Sequence, residues 1–357
     1  MHRYVTVFTL SLIFSEHKQT TSAQQMQSKP SEDQSVVDAD GTAHLTRVVP
    51  VPYTVSPEAR ASLAKSVVDP PNGETLAEKR ARTDAYHHVD ASAYLALYPS
   101  HIKAGSIGGV PVQIITPATG VAGDREDRII VNLHGGGFTT DSGSLTESIP
   151  IATLTRTKVV AVLYRLAPEN PFPAAVQDAV AVYRELLKTY QPNHIVVYGA
   201  SAGAILTGQM AVKLKLLGLP LPAALGLFST TGDFSVFGDT QAIYTVTGVA
   251  GSLKPPRRDR QFLSEYVGAT NPKDPVLSPV YSDLKGMPPT LLLSSTRDMM
   301  LSSTTVLHRA LLRSGVDAQL VIFDALNHGF WYEAGLPESR EANGIVATFF
   351  LLHLGLK

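Results

Sequence analysis

Gly199-Ala200-Ser201-Ala202-Gly203 reads G-x-S-x-G. Before it lies a short β-branched run, His194-Ile195-Val196-Val197-Tyr198, and after it a helix-like stretch from Ala204 to Lys215. A serine at the tip of such a strand-to-helix turn holds its hydroxyl clear of the backbone, where a base and a substrate can reach it. Small flanking residues are expected there, because side chains would collide with the neighbouring strand and helix. The pentapeptide alone is weak: with glycine at about 7% of residues, it arises by chance in roughly one chain in ten of this length. A serine hydroxyl is also a poor nucleophile at neutral pH. It needs a base to take its proton, a group to orient that base, and donors for the oxyanion that forms.

The chain offers a candidate for each role. Of eleven histidines, His2 and His17 lie near the N-terminus, His87 and His88 in a helical region, His308 within a helix and His353 in the last helix. His194 sits at the far end of the elbow strand from Ser201. His328 stands apart, in the loop Ala325-Leu326-Asn327-His328-Gly329-Phe330 after a strand ending near Asp324. Open parallel sheets gather reactive groups beyond the carboxyl ends of their strands, which is where His328 falls. For the orienting acid, the order serine, acid, histidine found in α/β-hydrolases favours Asp298, in the loop Ser295-Thr296-Arg297-Asp298. Asp324 is the rival, but it shares the loop of His328, only four residues away, which makes the reach back to the imidazole awkward. Asp298 could instead cap the helix from Leu301, although Ser302 could serve there. For the oxyanion, His134-Gly135-Gly136-Gly137-Phe138 follows an apolar strand, and three glycines let backbone N–H groups turn into a site unobstructed by side chains. The expected donors include Ala202, the residue after the serine. His134 reads as a residue that holds this loop by hydrogen bonding rather than as the base. Neither a Lys-Ser/Thr pair nor a G-x-G-x-x-G spacing accompanies these glycines, so they do not read as a phosphate cradle.

These residues need elements to hold them. Val110–Ile115, Arg128–Leu133, Lys158–Tyr164, Ala223–Phe228, Thr290–Ser294 and Ala318–Phe323 read as strands. Ala174–Tyr190, Leu301–Arg313 and Glu341–Leu354 read as helices. Strands alternating with helices predict a mainly parallel sheet with helices on both faces. Residues 45–103 carry helical patches, Pro57–Leu63 and Thr75–Tyr86, without a clear strand. Between 233 and 268 the alternation breaks, in a segment with Phe234, Phe237, Tyr244, Pro255-Pro256 and the basic run Arg257-Arg258-Asp259-Arg260. It reads as an insertion over the sheet, with the basic run a solvated surface.

At 357 residues and 44% hydrophobic content, the chain can bury one large α/β core. Thirty basic residues against 31 acidic ones suggest no nucleic-acid partner. Cysteine is absent, which excludes disulfides, thiolate metal sites and a cysteine nucleophile. Met1-His2-Arg3, the apolar run Val5–Phe14 and Thr21-Ser22-Ala23 follow the order of a secretory signal cleaved after Ala23. The alternative is a disordered tail, and the charged Glu16-His17-Lys18 argues for it. The run is too short for a bilayer span, which takes about 20 residues. Residues 24–44, rich in Gln, Ser and Asp, read as a flexible leader.

Together these motifs resemble the hormone-sensitive lipase family of α/β-hydrolases, the bacterial family IV esterases, from about residue 100 to the C-terminus. His134-Gly135-Gly136-Gly137-Phe138 is similar to the family signature. Tyr164-Arg165-Leu166-Ala167-Pro168-Glu169-Asn170-Pro171-Phe172-Pro173-Ala174-Ala175 with Asp178 is similar to a long family stretch with no direct chemical role, and His328-Gly329-Phe330 to the setting of the family's histidine. The elbow departs from the common G-D-S-A-G-G, with Ala200 and Ala204 in place of Asp and the last Gly. The resemblance implies an α/β-hydrolase fold with a helical cap, built from about 45–103 and 233–268 over a catalytic domain of 104–357. It implies a triad of Ser201, Asp298 and His328, with Gly136, Gly137 and Ala202 as oxyanion donors and Gly135 as a further candidate. Phe138 and Trp331 are expected at the substrate pocket, though Trp331 and Tyr332 could equally serve packing. The implied activity is hydrolysis of short- to medium-chain acyl esters through an acyl-enzyme, without metal or cofactor, by a monomer or homodimer. It would be exported if the signal is real and cytoplasmic otherwise. A lipase on longer esters and a non-enzymatic ligand receptor on the same scaffold are the rival readings. A peptidase would need a large extra domain, for which no segment is long enough.

Overall fold

The computed structural model describes residues 34–65, 73–236, 238–249 and 263–356. The chain divides into two units, Met1–Pro50 and Val51–Lys357. In the first, β1 (Gln34–Val37) pairs antiparallel with β2 (Ala43–Thr46). Asp40-Gly41 turns this hairpin, with Gly41 at φ 86°, so part of the expected leader is an ordered hairpin. The expected signal, residues 1–23, lies outside the described residues.

The second unit opens with α1 (Pro57–Leu63) and α2 (Leu76–Leu97), then β3 (Ser100–Ile107), β4 (Val110–Pro117) and β5 (Ile129–Leu133). There follow α3 (Ser148–Thr155), β6 (Lys158–Val162), α4 (Ala174–Leu186), β7 (Ile195–Ala200), α5 (Ala202–Leu216) and β8 (Ala224–Phe228). Two short helices, α6 (Asp239–Ile243) and α7 (Ser264–Val267), precede β9 (Thr290–Ser295), α8 (Leu301–Arg313), β10 (Ala318–Phe323) and α9 (Pro337–His353).

The strands form one sheet in the order β10-β9-β8-β7-β5-β6-β4-β3. The six strands from β10 to β6 are parallel, and β4 and β3 join antiparallel at one edge. Parallel strands covered on both faces are largely apolar, and β5, β7, β8 and β9 are buried throughout, Asn132, Thr290, Ser294 and Ser295 included. Their alternation then decides only which face each side chain enters. Ile195 and Val197 of β7 join Val176, Ile205 and Leu307 of α4, α5 and α8 on one face. Val196, Tyr198 and Ala200 join Ile149, Val346 and Tyr94 of α3, α9 and α2 on the other.

The predicted strands and helices are present, β10 and α8 at the predicted limits, but the patch expected over Thr75–Tyr86 continues as α2 to Leu97. Two elements carry no signal in the sequence. β3 begins at Ser100 and is exposed along most of its length, so it lacks apolar alternation, and the expected boundary at residue 104 falls inside it. In α3, Ile149, Pro150, Ile151 and Ala152 are all buried, which erases helical periodicity. In the expected insertion, Phe237 and the Pro255–Arg260 stretch lie outside the described residues. No helix among the described residues is long and apolar enough to cross a membrane.

Candidate active site

β7 delivers Ser201 to the middle of the sheet's carboxyl edge, between the ends of β5 and β8. Ser201 has φ 54° and ψ −120°, a conformation that costs a non-glycine residue on the order of 1–3 kcal/mol and persists only where its surroundings impose it. Those surroundings are visible. Ser201 N donates to Phe228 O at 2.8 Å, and Ser201 O accepts from Ile205 N at 3.1 Å. A Cβ on Gly203 would stand 1.7 Å from Leu133 O, and one on Gly199 2.2 Å from the same atom. The elbow is therefore seated directly on the end of β5, and both flanking glycines are required by contact.

His328 Nε2 lies 2.9 Å from Ser201 Oγ, and His328 Nδ1 lies 2.7 Å from Asp298 Oδ1. Asp298 is fully buried. Burial pushes its carboxyl up, but the electrostatic attraction of His328 and hydrogen bonds from His328, Ser229 and Ser294 outweigh this and hold it below the usual carboxylate range. Ser294 Oγ donates to Oδ2 at 2.6 Å, Ser229 Oγ donates to the same oxygen, and Met300 N donates to Oδ1 at 2.9 Å. An ionised carboxylate only accepts, so Nδ1 carries the imidazole proton and Nε2 is left to accept from the serine. The histidine loop is pinned in turn: Ser295 Oγ donates to Leu326 O at 2.6 Å, and Ala325 N to Thr296 Oγ1 at 2.7 Å.

The glycine loop leaves the end of β5 and curls back on itself, with Thr139 N and Thr140 N both donating to Gly136 O. Gly136 and Gly137 take φ of 117° and 61°. Among the described residues, nothing accepts from the backbone N–H of Gly136, Gly137 or Ala202. Gly135 N is engaged instead, donating to Glu147 Oε1 at 3.1 Å, which removes it from the candidate donors. His134 is buried and does not approach Ser201's partners. Its Nδ1 lies 2.7 Å from Gly135 O and its ring stacks on Tyr164 at 4.2 Å.

The long Tyr164–Ala175 block turns out to grip this loop. Tyr164 Oη donates to His134 O at 2.6 Å, and Ala167 N donates to Phe138 O at 2.8 Å. Arg165 and Asp178 hold the block itself, through Arg165 N to Oδ2 at 2.8 Å and Nη2 to Oδ1 at 2.8 Å. From α2, Arg80 donates to Thr139 O, Ala167 O and both carboxylate oxygens of Glu169, so the helix before the sheet is fastened to the same loop.

Phe138 and Trp331 are not at an open pocket. Phe138 is 1% exposed and stacks face to face on Tyr266 of α7, ring centroids 3.5 Å apart. Trp331 packs edge-on against Phe228 and Phe330 and lines a small internal cavity with Tyr198 and Leu293. Asp324 turns away from His328 and accepts from Thr54 and Thr296. Sequence reasoning gave no sign of Ser229, Ser294 or Glu147. Ser294 could have been suspected, being the last but one residue of the strand that carries Asp298. Glu147 lies in a loop with no motif.

A family model of the alpha/beta hydrolase fold matches residues 130–332, more than half the chain. An acetyl-hydrolase from Streptomyces hygroscopicus is 32% identical over 254 residues, 69% of this chain and 84% of that protein. A carboxylesterase from Mycobacterium tuberculosis is 28% identical over 238 residues, 60% of this chain and 70% of that one. Among solved structures, an esterase called E25 superimposes with a TM-score of 0.74 at 31% identity, covering 86% of this chain and 97% of its own. An esterase from the bacterial hormone-sensitive lipase family gives 0.72 at 29% identity, covering 84% and 99%. The chain belongs to the hormone-sensitive lipase family of the α/β-hydrolase fold, and it is an ester hydrolase of that family.

Proposed function

We propose that the protein is a serine carboxylesterase in which Ser201 is the nucleophile, His328 the general base and Asp298 the group that orients it. The observation that carries this reading is the continuous hydrogen-bonded line from Ser201 through His328 to a buried Asp298. Ser201 Oγ attacks the ester carbonyl as His328 Nε2 takes its proton. The carbonyl oxygen becomes an oxyanion held by the N–H groups of Gly136, Gly137 and Ala202, and losing one such donor typically costs about 3–4 kcal/mol in the transition state. The alcohol leaves with the proton from His328, and water activated by the same histidine hydrolyses the acyl-serine.

The substrates are acyl esters of short to medium chain length. The acetyl-hydrolase among the relatives supports this. In this reading α1, α2 and the described residues of 233–268 form the cap, the catalytic domain begins with β3, and residues 1–23 direct export. An intact Met1 on protein from its native host would overturn cleavage after Ala23.

The test is hydrolysis of p-nitrophenyl esters from acetate to palmitate by the native chain and by Ser201→Ala. Native activity is expected to peak at octanoate or shorter, and the variant to fall by a factor on the order of 10⁶ in kcat. A peak at laurate or longer would favour the lipase reading, and activity kept by Ser201→Ala would sink the mechanism.

A further inference from the structure

Glu147 is an acid buried behind the site with no part in the chemistry above. It is 4% exposed, in the loop between the oxyanion glycines and α3. Its carboxyl joins the end of β5 and the glycine loop to the turn after His328. Gly135 N, at the start of the glycine loop, donates to Oε1 at 3.1 Å. Tyr332 Oη, four residues after His328, donates to the same oxygen at 2.8 Å. Asn132 Nδ2, from β5 just before the loop, donates to Oε2 at 2.8 Å. The carboxyl occupies space that the chain keeps clear for it, since a Cβ on Gly143 would stand 1.8 Å from Oε1. No cation is among these partners.

We propose that Glu147 is a positioning residue for ester hydrolysis, holding the oxyanion loop and the histidine loop in register through one carboxyl. This rests on the reading of Gly136, Gly137 and Ala202 as oxyanion donors. An oxyanion donor must aim at the place where charge develops, and small misplacements there cost rate rather than binding. Gly135 is the peptide immediately before the donors. Holding its N–H anchors the peptide next before the one that carries Gly136 N–H, and so limits how far the loop can drift. Tyr332 ties the same oxygen to the turn that follows His328. A single acceptor atom thus links the donors to the base.

The carboxyl works here in its neutral form. Burial pushes it up to about 8, against the opposing hydrogen bonds from Asn132, Tyr332 and Gly135. Asn132 Oδ1 is buried without a partner. A half-turn of the Asn132 amide puts that oxygen in the place of Nδ2, where it accepts the carboxyl proton. Glutamine has the same shape and can make the same set of bonds without charge, whereas leucine fills the space and makes none.

The experiment compares the full chain with Glu147→Leu, Glu147→Gln and Tyr332→Phe, reading kcat and KM on p-nitrophenyl butyrate and the inhibition constant of butane boronic acid. Glu147→Leu should lower kcat by about 30-fold or more with KM within about threefold, and weaken the boronate, which forms a tetrahedral adduct on the serine, by a similar factor. Glu147→Gln should recover kcat to within about threefold of the native chain, and Tyr332→Phe should lose about three- to tenfold. If Glu147→Leu does not fold, the other two variants still decide. A Tyr332→Phe with native kcat and native boronate affinity overturns the proposal, as does a Glu147→Gln as impaired as the leucine variant. A lower melting temperature with unchanged kcat would mark Glu147 as merely structural and overturn it as well. Activity kept by Ser201→Ala is the separate outcome that would remove the reading beneath it.

Discussion

Asp298 and Glu147 are both buried acids close to the same reaction centre, and their surroundings push them in opposite directions. Burial raises both. At Asp298 the imidazole of His328 supplies a partner that becomes positive, and two serine hydroxyls add hydrogen bonds, so the carboxylate form wins. At Glu147 the donors are an amide, a phenol and a peptide N–H, none of them charged, and Asp141 adds a like charge. The neutral form wins there, at about 8. What separates a carboxylate that can steady a developing imidazolium from a carboxyl that can only anchor loops is thus a cationisable neighbour and hydroxyl donors on one side and a like charge on the other.

The largest effect that sharpens this comparison is on catalysis. Asp298→Asn keeps the shape but lets the histidine adopt the wrong tautomer, and kcat should fall by about 10⁴-fold. Asp324→Asn, at the end of the neighbouring strand but bound to Thr54 and Thr296, should keep kcat within about twofold. Assaying both variants on p-nitrophenyl acetate checks the pair, and similar losses in the two would contradict the assignment of the acid.

A smaller effect concerns stability against pH. Glu147 keeps its proton in the folded state up to about 8, whereas the unfolded chain releases it above about 4.5. The native state therefore binds more protons between those values, and this group's contribution to stability falls as pH rises through them. The ionisable groups facing it do not reverse the sign. Tyr164, Tyr198 and Tyr332 are held protonated by burial, and Asp141 is held ionised by His134 and His87 despite its burial. Asp298 runs the other way: its contribution is present above the usual carboxylate range and is lost as pH falls through its depressed value. Urea unfolding from pH 5 to about 8 should show a steeper decline for the native chain than for Glu147→Gln. An equal slope in both would remove Glu147 as its source.

The same pair shows what was legible in the sequence. Asp298 could be reached because it follows a recognisable strand and falls between serine and histidine in chain order. His328 and the glycine loop were legible for the same reason: each leaves the carboxyl end of a strand whose apolar run is visible. Glu147 follows no strand, and its partners at 132, 135 and 332 meet only after the sheet has formed. Phe138 and Trp331 both pack against aromatic neighbours, since adjacency to a reactive residue says nothing about which side of the backbone an aromatic ring takes. Phe138 at φ 62° turns its ring into the core against Tyr266. The Tyr164–Ala175 block was recognised as a pattern without a role, and in the structure it grips the glycine loop through Tyr164 and Ala167.

The central claim is that the strained elbow at Ser201 carries the nucleophile. Its most direct test is covalent: treat the protein with a fluorophosphonate ester, follow loss of activity, and map the adduct by peptide mass spectrometry. The account predicts one phosphonyl group per chain, located on Ser201, with activity lost in step with labelling and no labelling of Ser201→Ala. Stoichiometric labelling of a different residue, or full labelling of Ser201 with activity intact, would contradict it.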